Sequence, residues 1–445
     1  MSDTQDSRTY VEDELVAESV GGGLSEAAAD TGSASERGLI ATLEQFEAAR
    51  AVVAKVAQDT PLESSRYLAE LLGQPVYLKC ENLQRTGSYK IRGAYNRMSQ
   101  LTAEERARGV VAASAGNHAQ GVAFAARELG IRSTIFMPMG VPLPKLQATK
   151  NYGAEVVLGG TAVDEALRAA AAYAEETGAI FIPPFDHPDI IVGQGTLGLE
   201  IYESVPDLET VVVPIGGGGL IAGVAAAVKQ RAAKDGRVVR VIGVQAQNAA
   251  AYPPSLASGE PTTITVNPTI ADGIAVGRPG ALNFEIIRDY VDEVVTVTED
   301  DMAKALLVLL ERAKMVVEPA GAAGVAAVLA GKVTASGPTA LILSGGNIDP
   351  LLMQRVIAHG LAASDRYLTL RIPLPDRPGQ LARTSELVAA ANANVIEVLH
   401  TRHGHGLQIG QVELELSVET RDPQHRQHVV DTLRAAGYEP HILED

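Results

Sequence analysis

The 445-residue chain contains one cysteine, Cys80, so it can form neither an intrachain disulfide nor a cysteine-rich metal site, as suits a reducing compartment. Basic residues are scarce: 37 Lys and Arg against 54 Asp and Glu leave a formal charge of -17. A surface of that sign repels nucleic-acid phosphate and anionic membranes. No apolar run approaches the ~18 residues of a membrane span, and the acidic amino terminus lacks a signal-peptide core. Residues 1–37, rich in Ser, Asp, Glu, Gly and Ala, lack hydrophobic periodicity and read as a mobile tail without chemistry. The expectation is a cytoplasmic protein acting on a small molecule, with no nucleic-acid or membrane partner.

What is present is an ordinary globular composition, 46% hydrophobic and 20% charged, with 43 glycines for tight turns. From about Leu39 to Ser364, short β-branched runs alternate with longer Ala-rich stretches: Val110 to Ala113, Thr134 to Met137, Val156 to Leu158, Val211 to Val213, Val239 to Val244 and Ala340 to Leu343. This is an α/β pattern, parallel sheets wrapped by helices, over residues 38–365. Residues 366–445 change pattern. Strands at Tyr367 to Leu374, Val395 to His400, Gln411 to Val418 and Tyr438 to Leu443, helices at Gly379 to Ala391 and Pro423 to Ala436, and a His403-Gly404-His405-Gly406 turn give the β-α-β-β-α-β order of a ferredoxin-like α+β unit.

Four loops carry chemistry. Thr86-Gly87-Ser88-Tyr89-Lys90-Ile91-Arg92-Gly93 follows the Val76 to Lys79 strand and puts Lys90 and Arg92 in the first turn of a helix. Cations there oppose the macrodipole at a cost of about 0.3–1 kcal/mol each, and local positive potential lowers a lysine's proton affinity, as a nucleophilic amine requires. The competing reading is a solvated surface lysine. Ser114-Ala115-Gly116-Asn117-His118 lies between a strand and a helix, where helix-start amides can bind a substrate carboxylate and Asn117 offers a donor and an acceptor; a capped helix start with a satisfied His118 reads equally well. Gly216-Gly217-Gly218-Gly219-Leu220 presents consecutive amides at a helix start, a phosphate cradle. Gly217, Gly219 and Ala222 also fit the relaxed dinucleotide fingerprint, but the next strand ends at Gln245, where that fingerprint expects an acid about 20 positions on. Finally, Ser344-Gly345-Gly346-Asn347 follows the Ala340 to Leu343 strand, with Ser344 either a partner for a pyridine nitrogen or an ordinary turn residue.

In this order the four loops resemble the fold-type II pyridoxal-phosphate family, specifically the threonine/serine dehydratases. Thr269-Ile270-Ala271-Asp272-Gly273 and Glu318-Pro319-Ala320-Gly321 belong to the same resemblance. It implies a two-subdomain catalytic domain that uses pyridoxal 5'-phosphate. Lys90 carries the cofactor covalently, Asn117 contacts its ring hydroxyl, Gly216 to Leu220 hold its phosphate and Ser344 meets its pyridine nitrogen. Serine-racemising relatives have a serine where this chain has Ala115, so elimination is expected, giving 2-oxobutanoate from threonine or pyruvate from serine, plus ammonia. Their divalent-cation site is replaced by Gln245, Ala249 and Ala251, so no metal is expected. Tyr89 stands where phenylalanine is usual.

The tail domain resembles an ACT module, in which Asp376, Gly379, Gln380 and Leu381 at the first strand-to-helix turn would bind a regulatory amino acid; the alternative is a packing domain without a ligand. An effector site shared between facing modules implies a homo-oligomer, a dimer or tetramer. The rival functions are a β-replacement enzyme and a non-catalytic amino-acid-binding regulatory protein.

Overall fold

The computed structural model describes residues 38, 41–363, 366–402 and 410–443. The expected tail, residues 1–37, and the His403 to Gly406 turn lie outside them. Strands in chain order are β1 Leu62–Ser64, β2 Val76–Lys79, β3 Val110–Ala113, β4 Ser133–Met137, β5 Glu155–Leu158, β6 Ile180–Phe181, β7 Thr210–Pro214, β8 Arg240–Ala246, β9 Glu293–Val297, β10 Thr339–Ile342, β11 Tyr367–Pro375, β12 Asn394–Thr401, β13 Gln411–Glu419 and β14 His441–Ile442.

The first compact unit comprises the described residues up to Thr298 together with Val317–Asp349. It holds two sheets. The larger has order β1-β2-β10-β7-β8-β9, parallel except for β1, which pairs antiparallel with β2 at the edge. The smaller, β5-β4-β3-β6, is wholly parallel. Central strands such as β3 and β7 are buried along their whole length, because helices cover both faces; this is why they read as unbroken β-branched runs. In the larger sheet Val211, Val213 and Ile215 pack with Leu220, Val224 and Val228 of the helix Gly219–Lys234. In the smaller, Val110, Ala112 and Ile135 pack with Ile91, Ala94 and Met98 of the helix Lys90–Ser99.

Glycine faces bring key helices close. A Cβ on Gly193 would stand 2.6 Å from the Arg92 carbonyl, and one on Gly121 would stand 3.2 Å from the Lys90 carbonyl carbon. The helix that starts at Lys90 is therefore gripped between the helices Pro188–Ser204 and Asn117–Leu129.

The second unit contains the antiparallel sheet β12-β13-β11-β14 and the helices Gln380–Ala390 and Pro423–Ala435, in ferredoxin-like β-α-β-β-α-β order. Burial alternates along β11 and β13, with Leu368, Leu370, Ile372, Leu414 and Leu416 facing the helices. The unit is larger than residues 366–445: it also takes Glu299–Val316 and the helix Pro350–Ala363, tied together by His359 Nε2 and Asp300 Oδ1 at 2.7 Å. No helix among the described residues is long and apolar enough to cross a membrane.

Candidate active site

All four loops follow the carboxyl ends of parallel strands of the first unit: β2, β3, β7 and β10. This is the rim where open α/β sheets place ligands. The first and fourth loops are stitched together by backbone. Tyr89 N donates to Ser344 O (3.1 Å), Gly346 N donates to Gly87 O (2.8 Å), and Ser88 bridges to Gly345. The parallel pairing of β2 with β10 sets this up, since the two loops leave adjacent strand ends.

Lys90 opens its helix, as the sequence pattern implied, with no acidic residue in the first turn. Its Nζ donates to Pro184 O at 2.8 Å. Burial lowers its pKa to about 8, with Glu318 opposing that shift, so a substantial fraction of the amine is unprotonated in mildly alkaline solution. Arg92, grouped with Lys90 in the sequence reading, does different work. Its fully buried guanidinium forks onto Glu81 (2.8 and 2.9 Å) and Glu200 (2.6 and 3.0 Å), and Lys79 completes the cluster at 2.9 Å from Glu200. These bonds anchor the start of the Lys90 helix to β2 and to the helix Pro188–Ser204.

In the second loop, Ser114 Oγ accepts from Gly116 N at 3.0 Å. The helix Asn117–Leu129 then begins with the amides of Asn117, His118 and Ala119 free of intrahelical acceptors. The His118 ring bonds the Ile182 carbonyl (2.8 Å), and burial, then the Lys90 charge, lowers its pKa to about 3. It is neutral at working pH, so it donates Nε2–H and is no general acid. Only its backbone amide remains for an anion.

The third loop precedes the helix Gly219–Lys234, with Gly218 at φ 102° as its N-cap. Its conformation is pinned at the Gly217 carbonyl, which accepts from Tyr252 Oη (3.1 Å) and Asn283 Nδ2 (2.9 Å). A Cβ on Gly217 would meet the Phe185 ring at 2.4 Å, and one on Gly218 the Tyr252 hydroxyl at 2.0 Å. Glycine is therefore required for this row of amides to lie flush against the protein. Phe185 adjoins Pro184, the acceptor of the Lys90 amine, so amine and cradle share one wall.

A carboxylate joins the loops. Glu318, the N-cap of the helix Pro319–Leu329, is 3% exposed; its N donates to Gly345 O (3.0 Å), and its Oε1 accepts from Asn117 Nδ2 (2.6 Å). Asn347 Nδ2 donates to Asn117 Oδ1 and to Thr86 O, both at 2.8 Å. Burial, then the Asp272 charge, raises the Glu318 pKa to about 7. Asp272 in turn pairs with the nearly buried Lys145 at 2.7 Å, whose Nζ would lie 3.4 Å from a Cβ placed on Gly116. Ser344 is buried at the end of β10.

The family model for pyridoxal-phosphate dependent enzymes matches residues 53–345, a span that includes Lys90, the glycine loop and Ser344. The chain belongs to the pyridoxal-phosphate dependent enzymes. An L-threonine ammonia-lyase from Thermotoga maritima is 49% identical over 403 residues, covering 90% of this chain and 99% of the relative. A catabolic L-threonine dehydratase from Escherichia coli is 48% identical over 293 residues, 65% of this chain and 88% of the relative. Among solved structures, the processed form of threonine deaminase isoform 2 from Solanum lycopersicum aligns with a TM-score of 0.67 at 38% identity over 71% of this chain and 93% of that one. Maize serine racemase aligns with a TM-score of 0.67 at 35% identity over 72% and 98%.

The residues present fit the cofactor of this family. Lys90 supplies a nucleophilic amine of lowered proton affinity. The glycine row with three donor amides at Gly219, Leu220 and Ile221 suits a phosphate. Asn117 retains one amide hydrogen beyond its bond to Glu318. Buried Gln245 donates to Ala249 O (3.3 Å) and accepts from Tyr252 N (2.9 Å).

The sequence reading left Glu318, Asn347, Lys145 and the Arg92 cluster without roles. For Glu318 a signal was available: one carboxylate in the apolar run Val316-Val317-Glu318-Pro319-Ala320, immediately before a proline suited to a helix start. Nothing local marked Lys145, whose partner lies 127 residues away.

Proposed function

We propose that the chain is a threonine ammonia-lyase that converts L-threonine to 2-oxobutanoate and ammonia, and L-serine to pyruvate. The observation that carries this is 49% identity along nearly the whole length of an L-threonine ammonia-lyase, and the loops that carry Lys90, Asn117, the glycine row and Ser344 all follow the carboxyl ends of parallel strands. The cofactor, when bound, supplies an electron sink for the carbanion at the substrate Cα. The chain's own residues do the rest. The helix-start amides at Asn117, His118 and Ala119 hold the substrate carboxylate, with Ser114 fixing the turn before them. Lys90 would anchor the cofactor, and its amine, of lowered pKa, would remove the Cα proton as general base. Ala115 offers no acid or base on the opposite face, which favours elimination over racemisation. Ser344, a buried neutral hydroxyl, would meet the ring nitrogen without a full proton transfer, which would favour loss of the β-hydroxyl over transamination. Lys90→Ala should abolish turnover and the cofactor's visible absorption band; full ammonia release by that variant would refute the assignment.

Residues 366–445 act as an ACT-like regulatory module, with Asp376, Gly379, Gln380 and Leu381 as the effector turn. Support comes from the exposure of Asp376, Gly379 and Leu381, and from Gly379 at φ 88° opening the helix Gln380–Ala390. Kinetics on threonine and serine, each with and without isoleucine and valine, test this: the response should vanish in Gly379→Asp, which sets a carboxylate before those helix-start amides. The protein works in the cytoplasm as a homo-oligomer. Edge strand β12 supports assembly, because Ile396, Val398 and Leu399 are 46%, 40% and 49% exposed on it. A monomer in sedimentation equilibrium at micromolar concentration would refute the assembly.

A further inference from the structure

The Asn117 amide faces one way for a reason that can be traced bond by bond. Thr86 O is a backbone carbonyl and can only accept, so the Asn347 end that meets it at 2.8 Å is the NH2. The second hydrogen of that NH2 goes to Asn117, which must therefore present its oxygen. The nitrogen of Asn117 is left facing Glu318 Oε1 at 2.6 Å. Glu318 is held rigidly in turn: its backbone N bonds Gly345 O, its carboxyl is buried, and a Cβ on Gly345 would collide with Oε1. Its other oxygen, Oε2, is buried with no hydrogen-bond partner among the described residues. An unpartnered buried carboxyl oxygen is costly, and in a binding site it is a vacancy for a proton or a ligand donor.

We propose that Glu318 is a positioning residue for the cofactor: it locks the Asn117 amide with its nitrogen turned to the ring hydroxyl and forms the protonable end of a chain running from Thr86 through Asn347 and Asn117. The proposal rests on the functional reading above. Ionised, Glu318 accepts strongly from Asn117 and polarises the remaining Asn117 N–H less; protonated, it releases that amide to bond the ring hydroxyl more strongly. The charged or titratable groups around it are Asp272, Lys145, Lys90 and Tyr89. Burial and the Asp272 charge favour the protonated form, while Lys145, the Asn117 bond and Lys90 favour the ionised one, so the switch falls near neutrality.

The test uses purified full-length protein, with pyridoxal 5'-phosphate as the probe. Its dissociation constant is measured by equilibrium dialysis, and the visible band of the bound form is titrated between pH 6 and 9. Wild type should show a spectral transition near pH 7. Glu318→Gln, which can still accept from Asn117 but cannot titrate, should hold the dissociation constant within about twofold and lose that transition. Glu318→Ala and Asn347→Ala should each raise the dissociation constant about tenfold, the scale of one charge-assisted bond. The double variant should also lose about tenfold rather than a hundredfold, because either change breaks the same chain. A Glu318→Gln protein that titrates like wild type, or additive losses in the double variant, would overturn the proposal. If Glu318→Ala does not fold, the Gln variant decides alone. A wild type that takes up no cofactor refutes both this proposal and the enzyme assignment; uptake with an unchanged Gln titration refutes this proposal only.

Discussion

Replacing Arg92 with methionine keeps an unbranched apolar stem in place and deletes a guanidinium that makes five hydrogen bonds: two to Glu81, two to Glu200 and one to Thr196 at 3.3 Å. The buried part of the cluster sets Arg92 and Lys79 against Glu81 and Glu200, with exposed Asp59 3.5 Å from Lys79 at its edge, and the Arg92 and Glu81 side chains are both 0% exposed. After the substitution Lys79 still neutralises Glu200, but Glu81 is left with a Thr60 hydroxyl at 2.6 Å as its remaining side-chain partner in the cluster. Stranding one partner of a buried ion pair costs about 3–5 kcal/mol, a large share of a stability of roughly 5–15 kcal/mol. Urea unfolding of the holoprotein, followed by circular dichroism, should register that loss. Activity should fall too: Arg92 sits two residues after Lys90, and a shift of the reacting amine by about 1 Å is worth roughly 10²-fold in rate. The decisive comparison is Arg92→Met with Glu81→Gln. Removing the stranded charge along with its partner should recover about half of the lost stability, since a neutral amide is far cheaper to bury than a carboxylate. A double variant less stable than Arg92→Met would show that lost packing, rather than an uncompensated charge, sets the cost.

Two further outcomes follow from the site. Because burial lowers Lys90 to about 8 from its ordinary 10.5, the unfolded chain holds this proton more tightly than the folded one. Stability of cofactor-free protein should therefore rise with pH between about 8 and 10.5 and lose that contribution as pH falls through 8; stopped-flow uptake of cofactor should likewise inflect near pH 8, and an inflection near 10.5 would refute the desolvation of the Lys90 amine. Gly217→Ala puts a methyl 2.4 Å from the Phe185 ring, an overpacking cost of about 1–3 kcal/mol, so the amide row should shift and cofactor affinity fall at least tenfold by equilibrium dialysis while far-UV circular dichroism holds.

The sequence made the α/β layout legible because the parallel strands are buried on both faces and therefore spelled out as apolar runs; Val110 to Ala113 and Val76 to Lys79 were read to the residue. Two short strands left no such trace. β1, Leu62-Glu63-Ser64, is short and exposed, and β6 has two residues, so each exists through its neighbour rather than through its own pattern. The site divides along the same line. Loops that use backbone, such as Gly216 to Gly219, announce themselves in sequence because only glycine permits them. Residues that act through distant partners do not: Glu318 meets Asn117 across 201 positions, and Asn347 meets it across 230. Arg92 illustrates why proximity in sequence misleads. It shares the first helix turn with Lys90, yet at two residues' spacing their side chains leave the helix about 200° apart. Lys90 consequently reaches the Pro184 carbonyl while Arg92 is driven into the protein. An arginine can occupy such a place only when carboxylates meet it there, and Glu81 and Glu200 are those carboxylates. The reactive amine is thus held in position by the residue whose charge pattern most resembled its own.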